Sequence, residues 1–207
     1  EQGVEVEGLD GRASLTIEDA KATERIVAVA GIHPFVKLLE MGADVIIGGR
    51  SSDCAIFAAP AIHEGFSESL SYYLGKVMEC ASFCAEPYGA KETIIGTISH
   101  EDVKVKAMHP EQKCTVASVS AHAMYERSNP LYEHVAGGLL DMTGCEYTQH
   151  DAKTCAITGP EFIPIDGEIK VKLEGAGKIG ERYLGIAGIR DPYLIENVDK
   201  VVDWAKS

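Results

Sequence analysis

The sequence predicts an α/β fold: a parallel βαβ front part, a strand-rich α+β back half and a closing C-terminal helix. Three observations carry this. Apolar, partly β-branched runs at 26–30 and 45–47 flank a segment with helical apolar spacing, the order of a right-handed βαβ unit. From Thr93 onward, short strand-like runs alternate with Gly and Pro. After Pro192, the residues Leu194, Ile195, Val198, Val201 and Val202 form one continuous helical stripe.

In chain order, residues 1–12 read as a polar, Gly-rich lead-in or edge strand. Ser14 and Thr16, with Glu18 and Asp19 behind them, mark a helix start. A short buried strand follows at 26–30. Pro34 opens a second helix with Phe35, Leu38 and Leu39 on its apolar face, and Gly42 ends it. The run 45–47 is the next strand, and Asp53 opens a helix with Ile56 and Phe57 facing inward and Pro60 interrupting it. A long helix is expected over 70–84, with Leu70, Tyr73, Leu74, Val77 and Cys84 near one side. Glu86-Pro87-Tyr88-Gly89 breaks the chain, which places a domain boundary there: 1–88 as the α/β part and 89–207 as the strand-rich part. In the second part, strands are expected at 93–98, 103–106, 139–142, 145–149, 154–158, 169–173 and 183–189. A helix is expected over 116–127, and the closing helix opens at Asp191-Pro192 with a Glu196–Lys200 pair.

The 207 residues are 45% apolar, enough for a real core, and carry a formal net charge of −13. With no basic cluster, this balance argues against nucleic acid or an anionic membrane as partner. The apolar run at 26–32 is too short to span a bilayer, and no signal-peptide pattern appears. Six scattered cysteines without a C-x-x-C pair point to a reducing, cytoplasmic setting. Cys80 and Cys84 share a helix face and read as small hydrophobes rather than metal ligands. The chain opens Glu1-Gln2-Gly3 without methionine, which reads as a trimmed, processed or partial chain.

The site candidate is the stretch 42–53, where the apolar run 45–47 ends in Gly48-Gly49-Arg50-Ser51-Ser52-Asp53. Ligands of open α/β sheets bind beyond the carboxyl ends of the strands. Gly48 and Gly49 allow backbone N–H groups to approach an anion, Arg50 offers a planar fork of donors, and Ser51 and Ser52 add hydroxyls. Asp53 either orients Arg50, binds a cation or acts as base, or else caps the next helix. His122 and Glu126 are spaced to face the same way on a helix, which suits acid–base work or metal binding; a core histidine beside a surface glutamate is the alternative. His63-Glu64 reads as a surface pair or, at a helix end, as an acid–base or ligand pair, and Arg190-Asp191-Pro192 as a buried Arg–Asp pair with a helix cap or as a second anion anchor. Cys54 stands at a helix start, where a thiol pKa can fall. P-loop, Rossmann, Gly-x-Ser-x-Gly and zinc-protease motifs are absent, so no cofactor is identified and no metal ligands are assigned.

The words at 42–53 and at 60–64 (Pro-Ala-Ile-His-Glu) resemble the acyclic terpene utilisation (AtuA-like) family. So do 115–130, 137–141, 171–176 and 187–192, in order along most of the chain. Relative to that family the chain lacks a Gly-rich upstream segment, and the stretch after Glu64 is altered. The resemblance implies a role in catabolism of branched acyclic carboxylic acids or their CoA thioesters. An enzyme of hydration, dehydration or lyase type is then expected, with Arg50 holding the anion and Asp53, His122 and Glu126 as acid–base candidates. The partners expected are the small-molecule carboxylate or acyl thioester and a second chain or the missing N-terminal segment, in an oligomer. The alternatives are a non-catalytic subunit or fragment that completes another chain's site, and a metal-dependent hydrolase.

Overall fold

The computed structural model describes residues 3, 5–8, 11–88, 93–125, 129–165 and 171–207. It is a mixed α/β fold whose strand ladders, among the described residues, are all antiparallel. The chain divides into two compact units, Glu1–Ala176 and Gly177–Ser207.

In the first unit, α1 (Ile17–Ala22) starts where Thr16 and Asp19 form a reciprocal capping box. Strand β1 (Arg25–Ala28) follows, exposed along its whole length rather than buried as expected. Helix α2 (His33–Glu40) has proline in its first turn and ends before Gly42, whose φ of +80° suits a residue without Cβ. The run 45–47 then corrects the sequence reading. It joins no ladder, and Val45 and Ile47 are 78% and 93% exposed. The βαβ expectation survives only as an isolated parallel bridge between Ala30 and Ser51. An apolar run becomes a buried strand only when neighbours cover both its edges and its faces, and here the backbone meets its neighbour only after the run has ended.

Helix α3 (Ala55–His63) turns its small residues Ala55, Ala58, Ala59 and Ala61 inward, while Ile56 points out. Helix α4 (Glu68–Met78) starts at Ser67, whose hydroxyl accepts from the Leu70 N–H. It stops at Met78 instead of running to Cys84; a short 3₁₀ turn, Ala81–Cys84, and strand β2 (Ala85–Glu86) follow. The central sheet is a hairpin of β3 (Ile94–Ile98) and β4 (Val103–Ala107), with β9 (Thr154–Thr158) and β8 (Glu146–Gln149) added in the order β3-β4-β9-β8. Strand β5 (Lys113–Cys114) pairs with β2, and α5 (Val116–Ala123) is capped by Thr115. A three-stranded sheet consists of β6 (Tyr132–Val135), β7 (Gly138–Asp141) and β10 (Glu161–Pro164), in the order β10-β7-β6. Strand β11 (Leu173–Ala176) pairs with β1; residues 169 and 170, the start of the strand expected over 169–173, lie outside the described residues.

Helix α4 is the organising element. Tyr72, Tyr73 and Val77 are buried with Val103, Val105 and Ile157 of the central sheet in one core. A Cβ added to Gly96 of β3 would lie 2.6 Å from the Met78 sulfur, so the strand passes close under the helix. The Tyr72 hydroxyl donates to the Ala136 carbonyl at 2.6 Å, and its ring stacks on Phe162. The core thus crosses the place near Tyr88 where the sequence suggests a boundary.

The second unit holds α6 (Pro192–Glu196) and α7 (Val198–Lys206). Asp191 caps α6 by accepting from the Leu194 N–H at 3.0 Å, as expected. Lys200 bonds Asn197 rather than the expected Glu196. The expected strand at 183–189 is absent, and Tyr183, Leu184 and Ile186 stand exposed.

Candidate functional site

The polar turn after the glycines lies against α4. Ala30 donates its N–H to the Arg50 carbonyl at 2.9 Å, and Ser52 donates to the Ala30 carbonyl at 2.8 Å, which anchors the turn. Behind it, Cys54 is 2% exposed and sits on Gly75 of α4: a Cβ on Gly75 would stand 2.5 Å from the Cys54 carbonyl oxygen. The absence of that Cβ lets the turn settle on the helix. The next residue, Lys76, is buried, and its ammonium forms an ion pair with the partly buried Glu79 carboxylate.

This pair was not among the sequence candidates. In sequence, Lys76 and Glu79 look like a surface pair three residues apart. The legible signal is that α4 is apolar nearly all round, with Leu70, Tyr72, Tyr73, Leu74 and Val77, so that Lys76 has no wet face to occupy. Burial pushes the Glu79 carboxyl above its ordinary value, against the hydrogen bond and charge of Lys76, and the negative charges of Glu133 and Asp53 push the same way. Glu133 is half-buried on β6. A buried ammonium, three carboxylates within electrostatic reach and the Ser52 hydroxyl make a group able to hold and move protons. Ser52 Oγ lies 3.2 Å from the Cys54 sulfur. Burial raises the Cys54 thiol to about 11, so the helix-start position does not activate it as a nucleophile.

The other sequence candidates fall as follows. Asp53 is exposed and does not cap α3, whose N-cap residue is Cys54 with no side-chain capping bond. Arg50 is engaged within the chain: its Nε and Nη2 donate to the two Glu174 oxygens at 2.6 and 2.8 Å. Gly48 and Gly49 are exposed; a Cβ on Gly48 would touch the Phe35 ring at 3.0 Å, and Gly49 faces open space. Ser51 carries the bridge to Ala30. His122 is buried on α5, its ring beside Phe83 and Tyr125 with centroids 5.9 and 6.3 Å away. Glu126 lies outside the described residues, so the His122–Glu126 pairing has no geometry here. His63 and Glu64 are both exposed at the end of α3. Among the described residues, no group of three or more His, Cys, Asp or Glu side chains is arranged to hold a metal ion. No helix of the described residues is long and apolar enough to cross a membrane.

Residues 4–190 match the family model described as "Acyclic terpene utilisation family protein AtuA". The chain belongs to the AtuA family. No curated protein and no solved structure matches it. The match takes in the 51–54 turn, α4 and Glu174 alike, so every part of the site lies within the AtuA region.

The Glu174 carboxylate occupies the Nε–Nη2 edge of the Arg50 guanidinium in this AtuA chain. The hydrogen bond from Arg50, with a further one from Lys172, holds the Glu174 carboxyl down at about 2. A carboxyl depressed in this way contributes stability above its unfolded value, and loses it as pH falls toward the folded one. Carboxyl NMR is expected to place the Glu174 midpoint near that value and to return it toward the ordinary glutamate range in Arg50→Ala. Unchanged titration in that variant would mean the fork does not persist in solution.

Proposed function

We propose that this AtuA-family chain is an enzyme, or the catalytic part of one, acting on branched acyclic carboxylic acids or their CoA thioesters by acid–base chemistry of the hydration, dehydration or lyase type. The observation that carries the reading is the buried Lys76–Glu79 pair, one residue on from the Gly75 contact with Cys54 and with Asp53 within electrostatic reach of Glu79. Catalytic groups are characteristically desolvated beside a charged partner, which brings their proton affinities toward the working pH. Asp53 and Glu79 are the base candidates, Lys76 the acid or the partner of developing negative charge, and Ser52 a hydrogen-bond donor. Arg50 takes the substrate anion in exchange for Glu174. His122 and Glu126 are further acid–base candidates.

The test is turnover of saturated and unsaturated branched acyl thioesters by the purified chain, with its mass measured by light scattering in the same runs. Lys76→Met is expected to lower kcat/KM by about 100-fold or more, and Arg50→Ala to act mainly through KM. If the chain turns over substrate and Lys76→Met leaves kcat/KM unchanged, the assignment is wrong.

A second reading, a subunit that completes a site with another chain, is favoured by the bare apolar side chains of Val45 and Ile47. Activity that appears only on adding a partner chain supports it; an active monomer removes it.

A further inference from the structure

On the side of α5 that carries Ser120 and Met124, the chain closes around a pocket of about 140 Å³. Its walls come from Ser120 and Met124 of the helix and its end, Leu131 before β6, Met142 and Thr143 in the loop after β7, and Cys145 and Tyr147 at and on β8. Among the described residues no charged side chain lines it. The Tyr147 and Cys145 side chains of its wall are hydrogen-bonded. The Tyr73 hydroxyl donates to the Tyr147 oxygen at 3.0 Å, and Tyr147 is hydrogen-bonded to the Cys145 sulfur. The thiol is kept neutral, since burial and the nearby Asp141 charge raise it to about 12.

Among the described residues the lining is concave, uncharged and mostly apolar, and such a lining favours hydrocarbon over a carboxylate. An apolar cavity of about 150 Å³ holds one benzene molecule, so this one suits a compact group of about five or six carbons. The flexible thioethers of Met124 and Met142 adapt to a branched outline. We infer that this pocket binds a compact, branched aliphatic group of about five carbons, uncharged at the end that enters. It extends the proposed function by assigning the hydrocarbon end of the substrate its own site, and the binding itself does not depend on the chemistry assigned to Lys76 and Glu79.

The chain has five methionines, and only Met124 and Met142 line the pocket, leaving Met41, Met78 and Met108 as internal references. Methionine ¹³C-methyl NMR with 3-methylbutan-1-ol as the probe is expected to show saturable shifts of the Met124 and Met142 methyls alone. Met124→Leu and Met142→Leu provide the assignments. Ser120→Leu, which fills the pocket from the helix side, is expected to abolish the shifts, and Thr143→Leu serves the same purpose from the loop should the first variant not fold. Glycerol, similar in heavy-atom count but polar throughout, is expected to shift neither methyl. Absent shifts, equal shifts at all five methionines, or shifts that persist in a folded pocket-filling variant overturn the inference. Because no turnover is measured, failure here and failure of the acid–base reading are separate results.

Discussion

Lys76→Met is expected to destabilise the chain by about 3 kcal/mol near neutral pH, the cost of leaving one member of a buried ion pair behind. The Lys76 side chain is 7% exposed and that of Glu79 14%, so neither carboxylate nor ammonium can turn to bulk water without local opening. Removing the ammonium takes away the hydrogen bond and charge that hold the Glu79 carboxyl down, while the burial that raises it remains. A carboxyl whose folded pKa exceeds its unfolded one adds stability at low pH and loses it as pH rises through the folded value. The gap between Lys76→Met and the parent chain should therefore narrow from neutral to mildly acidic pH, because the buried, orphaned carboxyl takes up a proton more readily than it does in the unfolded chain. The double variant Lys76→Met with Glu79→Gln, without a buried charge, should recover most of the loss. Urea denaturation of the three variants at neutral and at mildly acidic pH checks this. A single variant as stable as the parent at both would show that the pair is solvated.

Gly75→Ala is expected to cost about 2–3 kcal/mol, toward the upper end for overpacking. The added methyl would stand 2.5 Å from the Cys54 carbonyl oxygen and 2.9 Å from the Cys54 Cβ. Main-chain atoms held by the Ser52–Ala30 bonds cannot rotate away as the tip of a side chain would. Either α4 or the 51–54 turn must move, which disturbs the helix–turn contact on which the proposed site is built. The variant is therefore expected to lose activity beyond its loss of stability, measured on the folded fraction at low temperature. By contrast, Gly49→Ala, next to open space, should be close to neutral in stability. If Gly75→Ala retains full activity while folded, the proposed site does not depend on the contact between helix and turn.

The sequence by itself determined the elements whose signals are local. The Thr16–Asp19 capping box, the proline-led α2 with its terminal glycine and the Asp191 cap of α6 each depend on residues close together in sequence, and the strand runs of β3 and β4 on their own alternation. It also determined the family, through several words spread along the chain that no single element carries. What only the tertiary structure decided was which neighbour each segment meets. The run 45–47 has the composition of a buried strand, but composition does not supply the flanking strands that would bury it. Arg50 reads as an open anion fork until β11 brings Glu174 to it from 124 positions away. Lys76 reads as a surface residue until Gly75 admits the Cys54 turn and closes water off. Caps and turns are set by short-range hydrogen bonds that sequence spacing encodes, whereas desolvation is set by whatever packs on top, and that is a property of the whole fold.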